Sequence, residues 1–254
     1  MLSNHKLQTT LEEINDISKI GLALYDENGK QVAATFQIET DMRAEVVNFA
    51  ASMAESQMLS GFHFFKVIAE QEVEYILLAR STNDEAYMGG RLAVCQIRNL
   101  IASNREQSDK NNFMQNILLG NMLVVDMYNK AKKLHIETNV RRVVFLIETK
   151  QEKDINALET VRSLFATKTK DFITAVDEKN IILVKEVKPN EDYADLEKTA
   201  SVILDMLSSE AMTKVRVAYG TVVNDIKEVS RSYKEAKMAL DVGKIFYNGK
   251  NVVA

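Results

Sequence analysis

Apolar residues recur every three or four positions through Leu7, Leu11, Ile14 and Ile17, which predicts a short amphipathic helix from Asn4 to Ile17. The period then drops to two. Ile20 to Tyr25 and Gln31 to Phe36 read as strands joined by Asp26, Glu27, Asn28 and Gly29. Asn-Gly in that link supplies the positive φ angles of a tight hairpin. Helical spacing returns over Asp41 to Met58 through Val46, Val47, Ala50, Ala54 and Met58, with Thr40 or Asp41 as N-cap. Phe62 to Ala69 and Val73 to Arg80 flank an acidic turn and form a second hairpin.

From Tyr87 to Leu134 the chain has no proline, and its glycines are confined to Gly89, Gly90 and Gly120, so a long helical connector is expected. Steps of three and four from Gly90 visit Val94, Ile97, Ile101, Asn104, Ser108, Asn111, Gln115, Leu118 and Met122. This seam is apolar at both ends and polar in its middle. It can pair two chains weakly, or pack on its own domains at either end and cross solvent between them.

Beyond the connector, Arg142 to Thr149 is a continuous apolar run that suits a buried central strand. Asp154 to Ala166 is helical, Phe172 to Asp177 and Ile181 to Val187 form a hairpin, and Tyr193 to Ser208 is a second helix. Val215 to Tyr219 is a strand ending at Gly220, Asp225 to Phe246 a third helix, and Val252 and Val253 begin another strand. The expected class is therefore α+β. Residues 1–86 form a sheet with helices, like PAS or profilin modules used as sensor domains, 87–134 the connector, and 135–254 a ferredoxin-like split unit with an extension.

The length of 254 residues accommodates two ordinary domains. With 46% hydrophobic and 27% charged residues the chain is an ordinary globular one. No apolar run reaches membrane-span length and no secretory signal opens the chain, so no membrane partner and a cytoplasmic location are expected. A net charge of -4 does not attract phosphate backbones, and the basic cluster of Lys130, Lys132 and Lys133, with Arg141 and Arg142 just beyond, fits a helix end better than a DNA-reading surface. The single cysteine, Cys95, rules out an internal disulfide and a thiolate metal site, and its apolar neighbours predict a buried inert thiol.

Candidate chemistry is sparse. A pocket in the first domain would be lined by Tyr25, Phe36, Met53, Phe64, Tyr75 and Met88, all of which also serve as plain core. Convergent polar candidates for a small-molecule effector are Arg43, His63, Arg80 and Arg91, with Lys66 beside them. Gly89 and Gly90, placed just before the helix, either expose backbone N–H groups to a carboxylate or phosphate or only turn the chain. No cofactor motif and no metal-ligand set are present, and His5, His63 and His135 are far apart in sequence.

The most specific pattern is VRVAYGTVVNDIKEVSRSYKEAKMALDVGKIF, in which a strand and Gly220 precede a helix carrying Ser232, Tyr233, Glu235, Ala236, Ala239 and Leu240. With LLGN at Leu118 to Asn121, YNKAKKLHI and RVVFLIE, it resembles the degenerate cyclase-like (GGDEF-like) domain of bacterial transcription regulators of the sugar-diacid-utilisation and purine-catabolism type. The resemblance covers roughly Phe113 to Ala254. It implies a ligand-responsive regulator that is not an enzyme, a homodimer, and a helix-turn-helix domain beyond this region as the only contact with DNA. The effector would be a carboxylate, a sugar or a purine. An active cyclase of this type carries GG(D/E)EF at its hairpin, where this chain reads VDEKNII without glycine. Glu148, with Asp177 or Glu178 as its partner, could supply carboxylates to a metal-nucleotide site, but without the glycines they read as solvated strand-end and hairpin carboxylates. The alternatives are a nucleotide-binding or nucleotide-converting enzyme of cyclase-like fold, and an interaction scaffold without a ligand.

Overall fold

The computed structural model describes residues 2–80, 85–149, 155–165, 170–175, 177, 179–210, 215–246 and 252–253. The chain divides into two compact units, 1–106 and 107–254, and the division falls within one helix.

The first unit runs α1 (Asn4–Ser18), β1 (Gly21–Tyr25), β2 (Gln31–Ala34), α2 (Arg43–Ala51), β3 (Ser56–Leu59), β4 (Phe62–Ala69), β5 (Glu72–Arg80) and the start of α3 (Glu85–Leu118). Its antiparallel sheet has the order β2-β1-β5-β4-β3. The β1–β2 hairpin turns at Gly29, φ 77°, and Asp26 Oδ1 accepts from the Asn28 and Lys30 amides at 3.0 and 2.8 Å. Leu7 and Leu11 of α1, with Ala93, Ile97 and Ile101 of α3, cover the face bearing Leu22, Leu24, Phe65 and Leu77. Val46 and Phe49 of α2 cover the other, with Ala23, Phe64, Ile76 and Leu78. Because both faces are covered, the stretch of β5 from Tyr75 to Ala79 reads as an unbroken apolar run.

Three expectations change here. The helix expected over Asp41 to Met58 ends at Ala51, where Ser52 turns to extended backbone and its hydroxyl donates to the Phe49 carbonyl. Met58 instead lies on β3, paired with His63. Met42 occupies the N-cap position of α2, while Asp41 Oδ1 accepts from the Arg43 amide. Ile17, expected on the apolar stripe with Leu7 and Leu11, is 88% exposed.

The second unit holds the end of α3, α4 (Val124–Lys133), β6 (Arg142–Thr149), α5 (Ile155–Phe165), β7 (Phe172–Ala175), β8 (Asn180–Glu186), α6 (Tyr193–Glu210), β9 (Val215–Tyr219), α7 (Val229–Phe246) and β10 (Val252–Val253). The sheet order is β10-β9-β6-β8-β7, with β10 parallel to β9 and the other neighbours antiparallel. The run from β6 to β9 is the split βαββαβ unit expected from the pattern. The ends of α3 and α4 cover one face together with α7, through Phe113, Ile117, Ala131, Val229 and Ala236. On the other face α5 and α6 bury Val161, Ala200, Ile203 and Leu207 against Val143, Phe145 and Val217. The interval expected as one connector, 87–134, is thus two helices. Gly120, at φ 72°, caps α3 by donating to the Ile117 carbonyl, while Asn121 reaches back to Asn116.

Candidate functional site

The signature helix α7 is built to approach the sheet closely. Ser232 is fully buried, and its hydroxyl accepts from the Val144 amide of the central strand at 3.1 Å. A Cβ at Gly220 would stand 2.0 Å from the Ser232 carbonyl oxygen, so only glycine lets the β9 end pass. Glu235 accepts from both the amide and the hydroxyl of Thr221, fixing the loop after Gly220. Burial pushes the Glu235 carboxyl up, but those Thr221 hydrogen bonds and the nearby Arg231 charge hold it below its ordinary value. Tyr233, Ala236 and Leu240 are buried beside Val144 and Leu146. The motif therefore marks packing.

The carboxylates expected for a metal-nucleotide site fall at the end of β6 and on the β7–β8 hairpin. Glu148 lies there, opposite Asn180 and Arg216 in register. Its carboxylate pairs with Lys244 at 2.6 Å and with Arg216 at 3.9 Å. Asp177 closes the hairpin by accepting from the Lys179 and Asn180 amides and the Asn180 side chain at 2.7–2.9 Å. Burial raises the Asp177 carboxyl, and these hydrogen bonds outweigh it and lower it overall. Glu178 lies outside the described residues. Among those described, no group of three His, Cys, Asp or Glu side chains is placed to hold a metal ion.

The opposite end of the same sheet contains a feature that residue type and pattern did not single out. Arg142, the first residue of β6, is 2% exposed. Its backbone is bridged to Val223 by two 2.8 Å hydrogen bonds, and Nη2 donates to the Glu137 carbonyl at 2.6 Å. Nε and Nη1 are buried with no hydrogen-bond partner. Burial pulls this guanidinium below its ordinary pKa, against the raising influence of Glu186, Glu137, Asp225 and Asp171. A cavity of about 80 Å³ adjoins it, with Ile136 and Phe172 as apolar walls and Lys170 and Glu186 among its polar lining.

The candidates in the first unit do not converge as a set. Arg43 lies against the β1–β2 turn, where Nε donates to the Asn28 carbonyl. Arg80 is at the other end of β1, paired in register with Gly21 and lying 5.9 Å over the Phe62 ring. His63 is half-buried between Phe65 and Tyr87, with ring centroids 6.3 and 6.0 Å away. Gly89 and Gly90 are inside α3, so their amides belong to the helical ladder and not to an exposed anion cradle. What they provide is close approach, since a Cβ would stand 2.0 Å from Ile20 at Gly89 and 2.3 Å from Phe65 at Gly90. Arg91 is exposed on the outer face of α3, and Lys66 donates to the Ser52 carbonyl. Met53 and Met88, expected in a pocket lining, are 100% and 65% exposed, whereas Tyr25 and Phe64 are core. Cys95 is exposed rather than buried, because α3 presents Ala93 and Ile97 to the sheet and turns Cys95 away.

Along the seam, Ile97 and Ile101 are buried in the first unit's core with Val94 packed beside them, and Leu118 is buried in the second unit's core. Asn104 and Asn111 are half-buried and Ser108 is exposed. Gln115 donates to the Ala175 carbonyl at 3.0 Å.

Residues 120–242 match the family model of a GGDEF-like domain, just under half of the chain. A GGDEF-like domain is therefore found in the second unit. Two solved structures of PelD from Pseudomonas aeruginosa, one of them in complex with c-di-GMP, are similar over 98% of this chain. They are covered over 90% and 89% of their own chains, at 10% and 9% identity, with TM-scores of 0.28 and 0.32. No curated protein matches the chain. Among the described residues no helix is long and apolar enough to cross a membrane.

Proposed function

We propose that this chain is the sensing and relay region of a bacterial transcription regulator of the sugar-diacid-utilisation and purine-catabolism type, in which the GGDEF-like domain acts without turning over nucleotide. The observation that carries this reading is the state of the β7–β8 hairpin end. Metal-assisted chemistry on a triphosphate needs carboxylates free to bind a cation and backbone that lets the nucleotide approach. Asp177 is committed to its own turn, Glu148 is neutralised by Lys244 and Arg216, and the hairpin sequence has no glycine.

The strand order β2-β1-β5-β4-β3, covered by helices on both faces, supports reading the first unit as a PAS-like or profilin-like sensor. Its effector would be a small carboxylate, sugar or purine. The polar middle of α3, at Asn104, Ser108 and Asn111, would carry a weak pairing between two copies that effector binding biases. DNA would be contacted by a helix-turn-helix domain beyond this region.

Incubation of the full chain with GTP or ATP and magnesium, scored for product, tests the central point. No turnover is expected, and conversion of either nucleotide would replace this reading with the enzymatic one. Melting with the three effector classes and c-di-GMP, with light scattering on each, tests the sensor. A ligand that binds only the folded chain raises the melting temperature, and a panel with no such ligand removes sensing from the account.

A further inference from the structure

We propose that the groove between α3 and the end of β4, within the first unit, binds a small amphipathic monocarboxylate. Its floor is apolar, formed by Ile68 and Ala69 of β4 and by Ile101 and Ala102 of α3, and its volume of about 370 Å³ falls in the range of small-molecule sites. Ala102, four residues after Arg98 and three before Arg105, lies between them on one helix face, and its small side chain leaves the hollow.

The two arginines differ in what they have left to offer. Arg105 is committed, pairing with Glu70 at 2.9 Å and with Glu74. Those contacts tie the β4–β5 turn, in which Glu70 and Gln71 stand at φ 50° and 75°, to the helix and so fix one wall of the groove. Arg98 and Asn99 are exposed and, among the described residues, make no ion pair and no side-chain hydrogen bond. Glu70 and Glu74 balance Arg105, which leaves Arg98 as the uncompensated charge of the lining. One negative charge is matched there and a second is not.

The guanidinium fork suits the two oxygens of a carboxylate, with the Asn99 amide as a further donor. An exposed ion pair alone holds a ligand weakly. The apolar floor therefore sets the affinity, by about fourfold for each methylene buried, so a ligand needs a body that reaches over Ala102 toward Ile68. The inference narrows the effector proposed above to one class and rests on that reading for its regulatory meaning alone. Absence of binding removes the site and leaves the inertness toward GTP untouched, whereas GTP turnover removes the regulatory reading and leaves the site.

Cys95 lines the groove, is exposed and is the only cysteine of the chain, so its reactivity reports occupancy. The test follows its alkylation by iodoacetamide, a neutral reagent, in the full chain, with sodium hexanoate against sodium acetate, phosphate and chloride at equal ionic strength, and calorimetry on the same titrations. Hexanoate should slow the alkylation saturably, with its half-effect at least tenfold below that of acetate. Arg98→Gln should weaken hexanoate binding about fivefold, and Ala102→Phe, which fills the hollow, should abolish it; both positions are exposed, so the fold is retained. Alkylation no slower in hexanoate than in chloride, with no heat of binding, overturns the proposal. So does protection by phosphate equal to that by hexanoate, or unchanged affinity in both variants.

Discussion

Arg142 and Glu148 stand on the same strand, and the two ends of β6 solve the burial of charge in opposite ways. At the Glu148 end the carboxylate meets Lys244 and Arg216, and Asp177 accepts from its own hairpin. At the Arg142 end the chain holds a guanidinium more deeply buried, with two of its nitrogens unmatched. Burying an ion costs on the order of several kcal/mol unless pairing and hydrogen bonds offset it. At the Arg142 end the unmatched nitrogens leave the burial uncompensated, whereas at the Glu148 end the charges meet partners from the same unit.

The largest effect expected on this contrast comes from Gly220, which lies at the Arg142 end, its amide donating to the Val144 carbonyl. Gly220→Ala forces a Cβ onto the Ser232 carbonyl, a backbone atom that cannot swing away. A loss of about 3 kcal/mol in urea unfolding is expected, and a loss under half of that would mean that α7 is not held as closely as described.

A middle-sized effect compares the two charges directly. Without added ligand, Arg142→Met should stabilise the second unit by about 1–3 kcal/mol by removing an unmatched ion, and Glu148→Met should destabilise it by leaving Lys244 and Arg216 without their carboxylate. Opposite signs sharpen the contrast; the same sign in both variants breaks it.

The smallest effect is one of acid dependence. The folded-state value of Asp177 lies below its ordinary 3.8 and that of Glu235 below its ordinary 4.5. Their stabilisation is therefore fully present above those ordinary values and is lost as the pH falls through the depressed folded ones. Asp177→Asn should lower the melting temperature at neutral pH, where the carboxylate's contribution is complete, and flatten its fall in this acidic range. An identical acid profile would remove the hairpin network from the account.

Much of the architecture was legible in local pattern. Asn28 and Gly29 announced the first hairpin, the apolar run from Arg142 to Thr149 announced a central strand, and Ser232 to Leu240 announced the helix that defines the domain. What local pattern did not reveal was the phase of α3. That helix carries Val94, Ile97 and Ile101 on one side and Met88, Leu92 and Cys95 on another, and only the position of the sheet decides which is inward. Gly89 and Gly90 read as a turn because glycine disfavours helices, but here the sheet needs the space their missing Cβ atoms leave. Arg142 was legible only as a basic residue near a helix end. Its burial depends on Val223 and Glu137 reaching it through tertiary structure, which no window of sequence displays.

The most direct test of the central claim is an amide NMR titration of the full chain with GTP and magnesium, with nucleotide consumption measured in parallel. The account predicts that Glu148, Lys179 and Asn180 keep their signals and that GTP remains intact. Saturable shifts at Glu148 and Asn180 with GTP and magnesium, or consumption of the nucleotide, would contradict it.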